Sequence, residues 1–126
     1  MKEAVFSNSS AHCKVRINAI TDAMEILSGK WKFHILGTLI GGGSLRFMDL
    51  QREVEGIGAK MLSKELQDME MNHLISRTVK STKPITVEYE ITTYGKTLAP
   101  IIDEIAKWGI QYKKSLYGKE LPEAPL

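Results

Sequence analysis

The chain has 126 residues, of which 43% are hydrophobic and 25% are charged, so residues 1–126 are expected to form one soluble globular domain. No apolar run reaches the roughly 18 residues that a membrane-spanning helix needs, and the N-terminus lacks the apolar core of a signal peptide, which favours a cytoplasmic protein. The single cysteine excludes an internal disulfide, and the net charge of +2 is too small to indicate nucleic-acid binding by itself.

The distribution of the charges is more informative than their sum. Lysine and arginine occur without any acidic residue in 26–48, 71–87 and 105–119, whereas the acids gather at 49–55 and 65–70. Such segregation is typical of a protein with basic surface patches, and it is equally compatible with an ordinary solvated surface.

Residues 13–40 predict two N-terminal helices. The first carries apolar residues at the helical spacing of one buried face and is expected to end at Gly29. The second, over about 30–40, has a broad apolar side and ends at the segment GGGS, because glycine is costly within a helix. The predicted buried face of the first helix comprises Ile17, Ile20, Ala23, Met24 and Leu27.

Residues 45–72 predict a helix-turn-helix. The stretch LRF at 45–47 tolerates β structure and is a candidate short strand, and a short helix follows it. The segment EGIG at 55–58 provides the turn, and its last glycine is an acceptable but weak N-cap for the next helix. The inward residues of the short helix are expected to be Phe47, Leu50 and Val54.

The second helix of this unit, over about 59–71, has an apolar and a polar side. Asp68 falls near Lys64 on the polar side, where the two can pair as i, i+4 neighbours. The apolar stripe consists of Leu62, Leu66 and Met69, and the polar stripe of Lys60, Ser63, Lys64 and Gln67.

The period of the pattern changes from 3.6 to 2 after this helix. Apolar and polar residues alternate in ISRTVK at 75–80 and in ITVEYEI at 85–91, and STKP between them has turn composition. Residues 75–91 therefore predict a β-hairpin with a basic tip.

A long C-terminal helix is predicted over about 93–117, with Thr92 or Thr93 as its cap and a kink at Pro100. Its apolar stripe is long for a small domain, which favours packing against a partner helix over packing within the subunit. The stripe comprises Leu98, Ile101, Ile102, Ile105, Trp108, Tyr112 and Leu116.

The sequence contains no catalytic or phosphate-binding motif, and its three histidines lack the spacing of metal ligands, so neither an enzyme, a cofactor nor a metal site is expected. Cys13 has the basic neighbours Lys14 and Arg16, which is the environment of a reactive thiol. The alternative is that Cys13 packs as a small hydrophobic residue.

The order of these elements predicts a mainly α protein with a small β-hairpin wing (α+β), that is, a winged helix-turn-helix. Because the major groove of B-DNA admits one helix, the polar stripe is predicted to read base edges through Lys60, Ser63, Lys64 and Gln67. Phosphate contacts are predicted for Arg46, Arg77, Lys80 and Lys83.

Nearly the whole chain resembles the HxlR-type branch of the winged helix-turn-helix transcriptional regulators, which is related to the MarR group. The resemblance is carried by Cys13 and by the segments SGKWKFHIL, LRFMDLQREVEGI, KMLSKELQDMEMNHLISRTV, VEYEITTYGKTLAPII and WG. It implies a homodimer built from the N- and C-terminal helices and bound to a palindromic operator in double-stranded DNA.

The resemblance also assigns expected roles to single residues. Dimer contacts would come from Ile101, Ile105, Trp108 and Tyr112, and Cys13 matches a position at which some members sense oxidants, electrophiles or aldehydes. Cys13 is thus a candidate thiol sensor for a small-molecule or redox effector. Two departures weaken the match: Lys14 stands where proline is common, and Gly58-Ala59 stands where a small polar residue is common.

Two other classes of function are compatible with the residues. The basic helix and hairpin face could bind an acidic protein partner without DNA, and duplex DNA would then fail to compete. A thiol enzyme that depends on Cys13 is the third class, and it would lose turnover when Cys13 is replaced by serine.

Overall fold

Helices form most of the chain, and a small antiparallel sheet completes it, in a computed structural model that describes residues 10–118. None of the helices in this part is long and apolar enough to cross a membrane. The elements are α1 (Ser10–Leu27), α2 (Lys32–Gly42), β1 (Leu45–Arg46), α3 (Phe47–Glu53), α4 (Ala59–Met71), β2 (Ile75–Lys80), β3 (Thr86–Ile91), a 3-10 turn (Gly95–Leu98) and α5 (Ala99–Tyr117).

The sheet has the strand order β1-β3-β2. Strands β2 and β3 pair from Ile75 opposite Ile91 to Lys80 opposite Thr86, and Leu45 of β1 lies opposite Tyr89 of β3. The predicted hairpin and the predicted short strand at LRF are therefore both confirmed. We call β2, β3 and the turn between them the wing.

The core lies where α2, α3 and α4 meet the base of the sheet. The apolar stripe predicted for the helix at 59–71 is fully buried, and so are the predicted inward positions Leu50 and Val54. Each such side chain contributes about 1.5–3 kcal/mol through its removal from water. The fully buried side chains are Ile35, Leu36, Leu39, Leu50, Val54, Leu62, Leu66, Met69 and Ile75.

The predicted burial of α1 is wrong. Of its apolar face only Leu27 is buried, while Ile17, Ile20 and Met24 are 58%, 51% and 44% exposed. Their spacing does produce an apolar stripe, but within the described residues only the end of α1 at Leu27 joins the core, and no other layer covers the rest of the stripe. Among residues 10–118, the apolar face of α1 thus has no packing partner beyond Leu27.

The start of the C-terminal helix also differs from the prediction. A 3-10 turn precedes α5, which begins at Ala99 rather than at Thr92 or Thr93. Pro100 consequently lies in the first turn, where the missing N–H needs no partner, and it does not kink the helix interior.

The junction between the wing and α5 is tightly packed. The Thr92 hydroxyl accepts a hydrogen bond from the Gly95 N–H at 2.9 Å and donates to the His73 carbonyl at 2.8 Å. Gly95 is buried, and a Cβ added there would lie 2.3 Å from the Leu74 carbonyl oxygen and 2.7 Å from Cγ1 of Ile91. Only glycine fits this close approach between two backbones.

Candidate nucleic-acid interface

Helix α4 presents its polar stripe because its apolar stripe is fixed in the core. Gly58 is its N-cap, and the Leu62 N–H bonds the Gly58 carbonyl at 2.9 Å. The four residues predicted to read DNA are all exposed, and their spacing of three and four residues places them on one side of the helix. These residues are Lys60, Ser63, Lys64 and Gln67.

The turn between α3 and α4 fixes how α4 is presented. Gly56 has φ +91°, a backbone conformation that side chains with a Cβ rarely adopt. Ile57 beside it is buried, and its N–H bonds the Val54 carbonyl at 3.3 Å. This short, anchored turn leaves α4 little freedom to rotate about its own axis.

Asp68 pairs with Lys64, as the i, i+4 spacing predicted. Asp68 Oδ2 lies 3.7 Å from Lys64 Nζ and 3.8 Å from Lys32 Nζ of α2. The Lys64 side chain is 66% exposed and the Asp68 side chain 42%, so this pair lies at the edge of the polar stripe. Asp68, the acid beside the proposed base-reading residues, therefore has two cationic neighbours.

Behind this pair lies a buried ion pair that the sequence reasoning missed. Lys32 is only 7% exposed and Glu65 only 6%, and Lys32 Nζ lies 2.5 Å from Glu65 Oε1. Lys32 thus does not contribute to a basic surface patch, although it belongs to an acid-free stretch of the sequence. A signal was present, because Glu65 falls three residues after Leu62, on the inward side of α4.

The wing does not bring its three predicted phosphate contacts to one face. Strand alternation places Arg77 opposite Tyr89 on the core-facing side of the sheet, whereas Lys80 points to the other side. Lys83 is exposed in the turn, which is fixed by a hydrogen bond from Thr82 Oγ1 to the Pro84 carbonyl at 2.7 Å. The odd–even count of the strand residues predicts this division between Arg77 and Lys80.

Glu88 lies among the proposed phosphate contacts of the outer sheet face. Its carboxylate lies 3.8 Å from Lys80 Nζ and accepts a hydrogen bond from Ser44 Oγ at 2.8 Å. Arg46 is the cross-strand neighbour of Glu88, and its Nε lies 4.0 Å from Asp49 Oδ2. Acidic partners therefore offset part of the positive charge of this face, which the strand pattern alone did not show.

The second exposed surface is apolar and runs along α5. Ile101, Ile105, Trp108 and Tyr112 are 49%, 48%, 67% and 51% exposed, and no residue of α5 is buried. The Trp108 and Tyr112 rings stack with centroids 5.0 Å apart. Helix α1 carries a second row of exposed large apolar side chains, and exposed apolar stripes of this kind are typical of protein–protein interfaces.

Cys13 lies in the first turns of α1 and is exposed. Among the described residues, the alternative that Cys13 packs as a small hydrophobic residue is therefore wrong. Along residues 10–118, no group of three or more histidine, cysteine or acidic side chains is arranged to hold a metal ion.

Comparisons with known proteins agree on one family. The model of the HxlR-like helix-turn-helix family matches residues 26–117. The HTH-type transcriptional regulator YdzF of Bacillus subtilis (strain 168) is 35% identical over 98 residues, which cover 78% of this chain and 90% of YdzF.

Solved structures show the same similarity in three dimensions. The structure of the HTH-type transcriptional regulator ytcD has a TM-score of 0.70 at 35% identity and covers 75% of this chain and 96% of that one. The redox regulator HypR in its reduced form has a TM-score of 0.72 at 29% identity and covers 80% and 99%, respectively. The winged arrangement of helices and sheet is thus shared with proteins described as regulators.

Proposed function

The chain belongs to the HxlR-like helix-turn-helix family of transcriptional regulators, and from that premise we propose that it binds a palindromic operator in double-stranded DNA as a homodimer. One observation carries the proposal: α4 buries its apolar stripe and turns all four polar residues of the other stripe to solvent together. A helix anchored in this way can enter the major groove without rearrangement of the fold.

Base reading is assigned to the side chains of the polar stripe. Lys60 and Lys64 can donate to the O6 and N7 acceptors of guanine, and Gln67 can make a paired contact with adenine. Ser63 is short and can donate or accept at close range. The division of roles follows from donor and acceptor chemistry, since each base pair presents a distinct pattern in the major groove.

Affinity and register are assigned to the basic residues around α4. Arg46, Lys80 and Lys83 are proposed to neutralise phosphates, and Arg77 is proposed to contact the backbone from the other face of the wing. Glu88 lowers the charge that Lys80 can offer, so Lys83 in the exposed turn is expected to contribute more than Lys80.

The function is tested by selecting bound sequences from random duplex DNA with the full-length protein. We expect enrichment of a palindrome whose half-sites lie about 10 base pairs apart, or roughly 34 Å, because two copies of α4 must enter successive major grooves. Recovery of unenriched sequences at low salt would contradict sequence-specific binding.

The wing is tested by the salt dependence of binding to the selected duplex. The variant Lys80→Ala/Lys83→Ala should reduce the magnitude of the slope of log K against log salt by about 1–2. The reason is that binding releases about one counterion fewer from the DNA for each phosphate contact that the variant lacks. Fluorescence anisotropy over a range of salt concentrations measures the slope. The control Lys96→Ala/Lys113→Ala removes the same charge outside the wing and should keep the wild-type slope. Equal slopes in the wild type and both variants would exclude the wing from the DNA interface.

The dimer is proposed to bury the apolar stripes of α1 and α5 against a second copy. Trp108→Asp should weaken dimerisation by about 30- to 150-fold, which corresponds to roughly 2–3 kcal/mol, because it places a charge at the centre of an apolar interface. Sedimentation equilibrium measures the dissociation constant. Tyr94→Asp is the matched control, since Tyr94 is 71% exposed but lies before α5. A stable dimer in Trp108→Asp would place the interface elsewhere.

An effector response is proposed for Cys13, which is exposed on α1 and therefore lies on a helix of the proposed dimer. The similarity to the redox regulator HypR supports a thiol-based signal. Complete alkylation with N-ethylmaleimide should weaken operator binding by about tenfold, roughly 1.4 kcal/mol, by altering how α1 packs in the dimer. The variant Cys13→Ser should be insensitive to the reagent, and unchanged affinity of the alkylated wild type would exclude sensing by Cys13.

A further inference from the structure

Four charged side chains form a continuous cluster from the interior to the exposed side of α4. Lys32 lies 2.5 Å from Glu65 and 3.8 Å from Asp68, and Asp68 lies 3.7 Å from Lys64. Two cations and two anions make the cluster neutral. Its inner members are buried, and its outer member Lys64 belongs to the proposed base-reading stripe.

We propose that Asp68 is a positioning residue for sequence discrimination: it holds the ammonium of Lys64 in one direction at the base-reading surface, with Lys32 as its buried anchor. This inference rests on the proposed function and adds to it a residue that contacts no base. Asp68 is the only acid for which the described residues show a carboxylate in contact with both a buried lysine and a lysine of the polar stripe.

The buried anchor is what distinguishes this pair from an ordinary surface ion pair. An isolated i, i+4 pair orders a long, exposed lysine side chain only slightly. Here Asp68 also faces Lys32, and Lys32 is itself fixed by its short contact with Glu65 in the core. Entry of α4 into the major groove would exclude water from the pair and strengthen its attraction further.

The sign of the effect follows from the charges. The carboxylate of Asp68 repels phosphates and offsets the charge of Lys64, so its charge lowers the nonspecific part of the affinity for DNA. By restricting the ammonium of Lys64 to one direction, Asp68 increases the difference in binding free energy between the correct base and the other bases. Asp68 therefore lowers the nonspecific affinity for DNA and raises the discrimination between base sequences.

The test compares wild type with Asp68→Asn in binding to the selected operator and to a random duplex, measured by fluorescence anisotropy. In the variant we expect affinity for the random duplex to rise about threefold, and the ratio of operator to random affinity to fall about tenfold. Because the Asp68 side chain is 42% exposed, the fold should be retained, which circular dichroism checks. A purely structural defect would lower both affinities instead.

The matched control is Glu70→Gln, which removes the same charge from an exposed acid elsewhere on α4 and should leave the ratio unchanged. In a Lys64→Ala background, Asp68→Asn should have no further effect on the ratio. An unchanged ratio in Asp68→Asn would overturn the inference. A change of the preferred base at one position, in place of a weaker preference, would also overturn it, because Asp68 would then contact the base itself. If the wild-type protein itself selects no DNA sequence, the proposed function fails. That result is distinguishable from a failure of the inference on Asp68, which requires a wild type that does select a sequence.

Discussion

Replacement of Glu65 by alanine is expected to lower the free energy of unfolding by about 3 kcal/mol. The change leaves the Lys32 ammonium in the core without its 2.5 Å partner, and removal of one member of a buried ion pair typically costs about 3–5 kcal/mol. The remaining contact with Asp68 at 3.8 Å offsets part of the loss, which favours the lower end of that range. Urea unfolding at a fixed protein concentration measures the difference.

Two further variants separate the buried charge from the loss of a carboxylate as such. Glu70→Ala removes an exposed acid from the same helix, and its effect should stay within about 0.5 kcal/mol. The double variant Lys32→Met/Glu65→Leu replaces both charges with apolar groups and should recover most of the stability lost in Glu65→Ala. Comparable losses in Glu65→Ala and Glu70→Ala would show that the inner pair is not desolvated.

The second large effect is expected at Gly95, where alanine should destabilise the fold by about 3 kcal/mol. The new Cβ would lie 2.3 Å from the Leu74 carbonyl oxygen, which is backbone and cannot rotate away. That oxygen also accepts the Thr92 N–H at 3.0 Å, so a backbone shift would break the bond that joins the two segments. Overpacking of this kind typically costs about 1–3 kcal/mol and more where backbone must move.

The control for Gly95 is Gly41→Ala. Gly41 lies in α2, and a Cβ added there meets no atom within 4 Å. Alanine is the better helix former by up to about 1 kcal/mol, so this variant should be as stable as wild type or more stable. Thermal unfolding measures the melting temperature of both variants. If Gly95→Ala melted at the wild-type temperature, the close approach of Gly95 to Leu74 would be refuted.

Local periodicity was sufficient to predict α4 and the wing. The stripe of Leu62, Leu66 and Met69 identified both the buried side of α4 and, by exclusion, its polar side. The alternation in the two strands fixed the hairpin, and the short strand at LRF was confirmed as the third strand of the sheet. The periodicity of each element depends on neighbours within a few residues, which is the range over which a sequence pattern carries information, whereas the pairing of β1 with β3 joins Leu45 to the distant Tyr89.

Features that depend on distant residues were missed or wrong. Lys32 and Glu65 are 33 positions apart, and the place of Glu65 on the inward side of α4 predicts its burial but does not identify Lys32 as its partner. The helical spacing correctly predicts an apolar stripe on α1, but a stripe does not specify which surface covers it. The start of α5 was misplaced because a 3-10 turn follows Thr92, whose hydroxyl accepts the Gly95 N–H, and α5 begins only after that turn.

The hydroxyl of Thr92 joins the end of the wing to the segment after α4 and to the turn that leads into α5. Because these bonds tie three segments together, a rotation of α5 at this junction would turn the wing with it. A strand of six residues is about 20 Å long, so a rotation of about 10° at the junction would displace the far end of the wing by roughly 3.5 Å. That displacement matches the rise of one base pair, about 3.4 Å. A small tilt of α5, if passed on at this junction, would therefore move the tip of the wing by about the rise of one base pair.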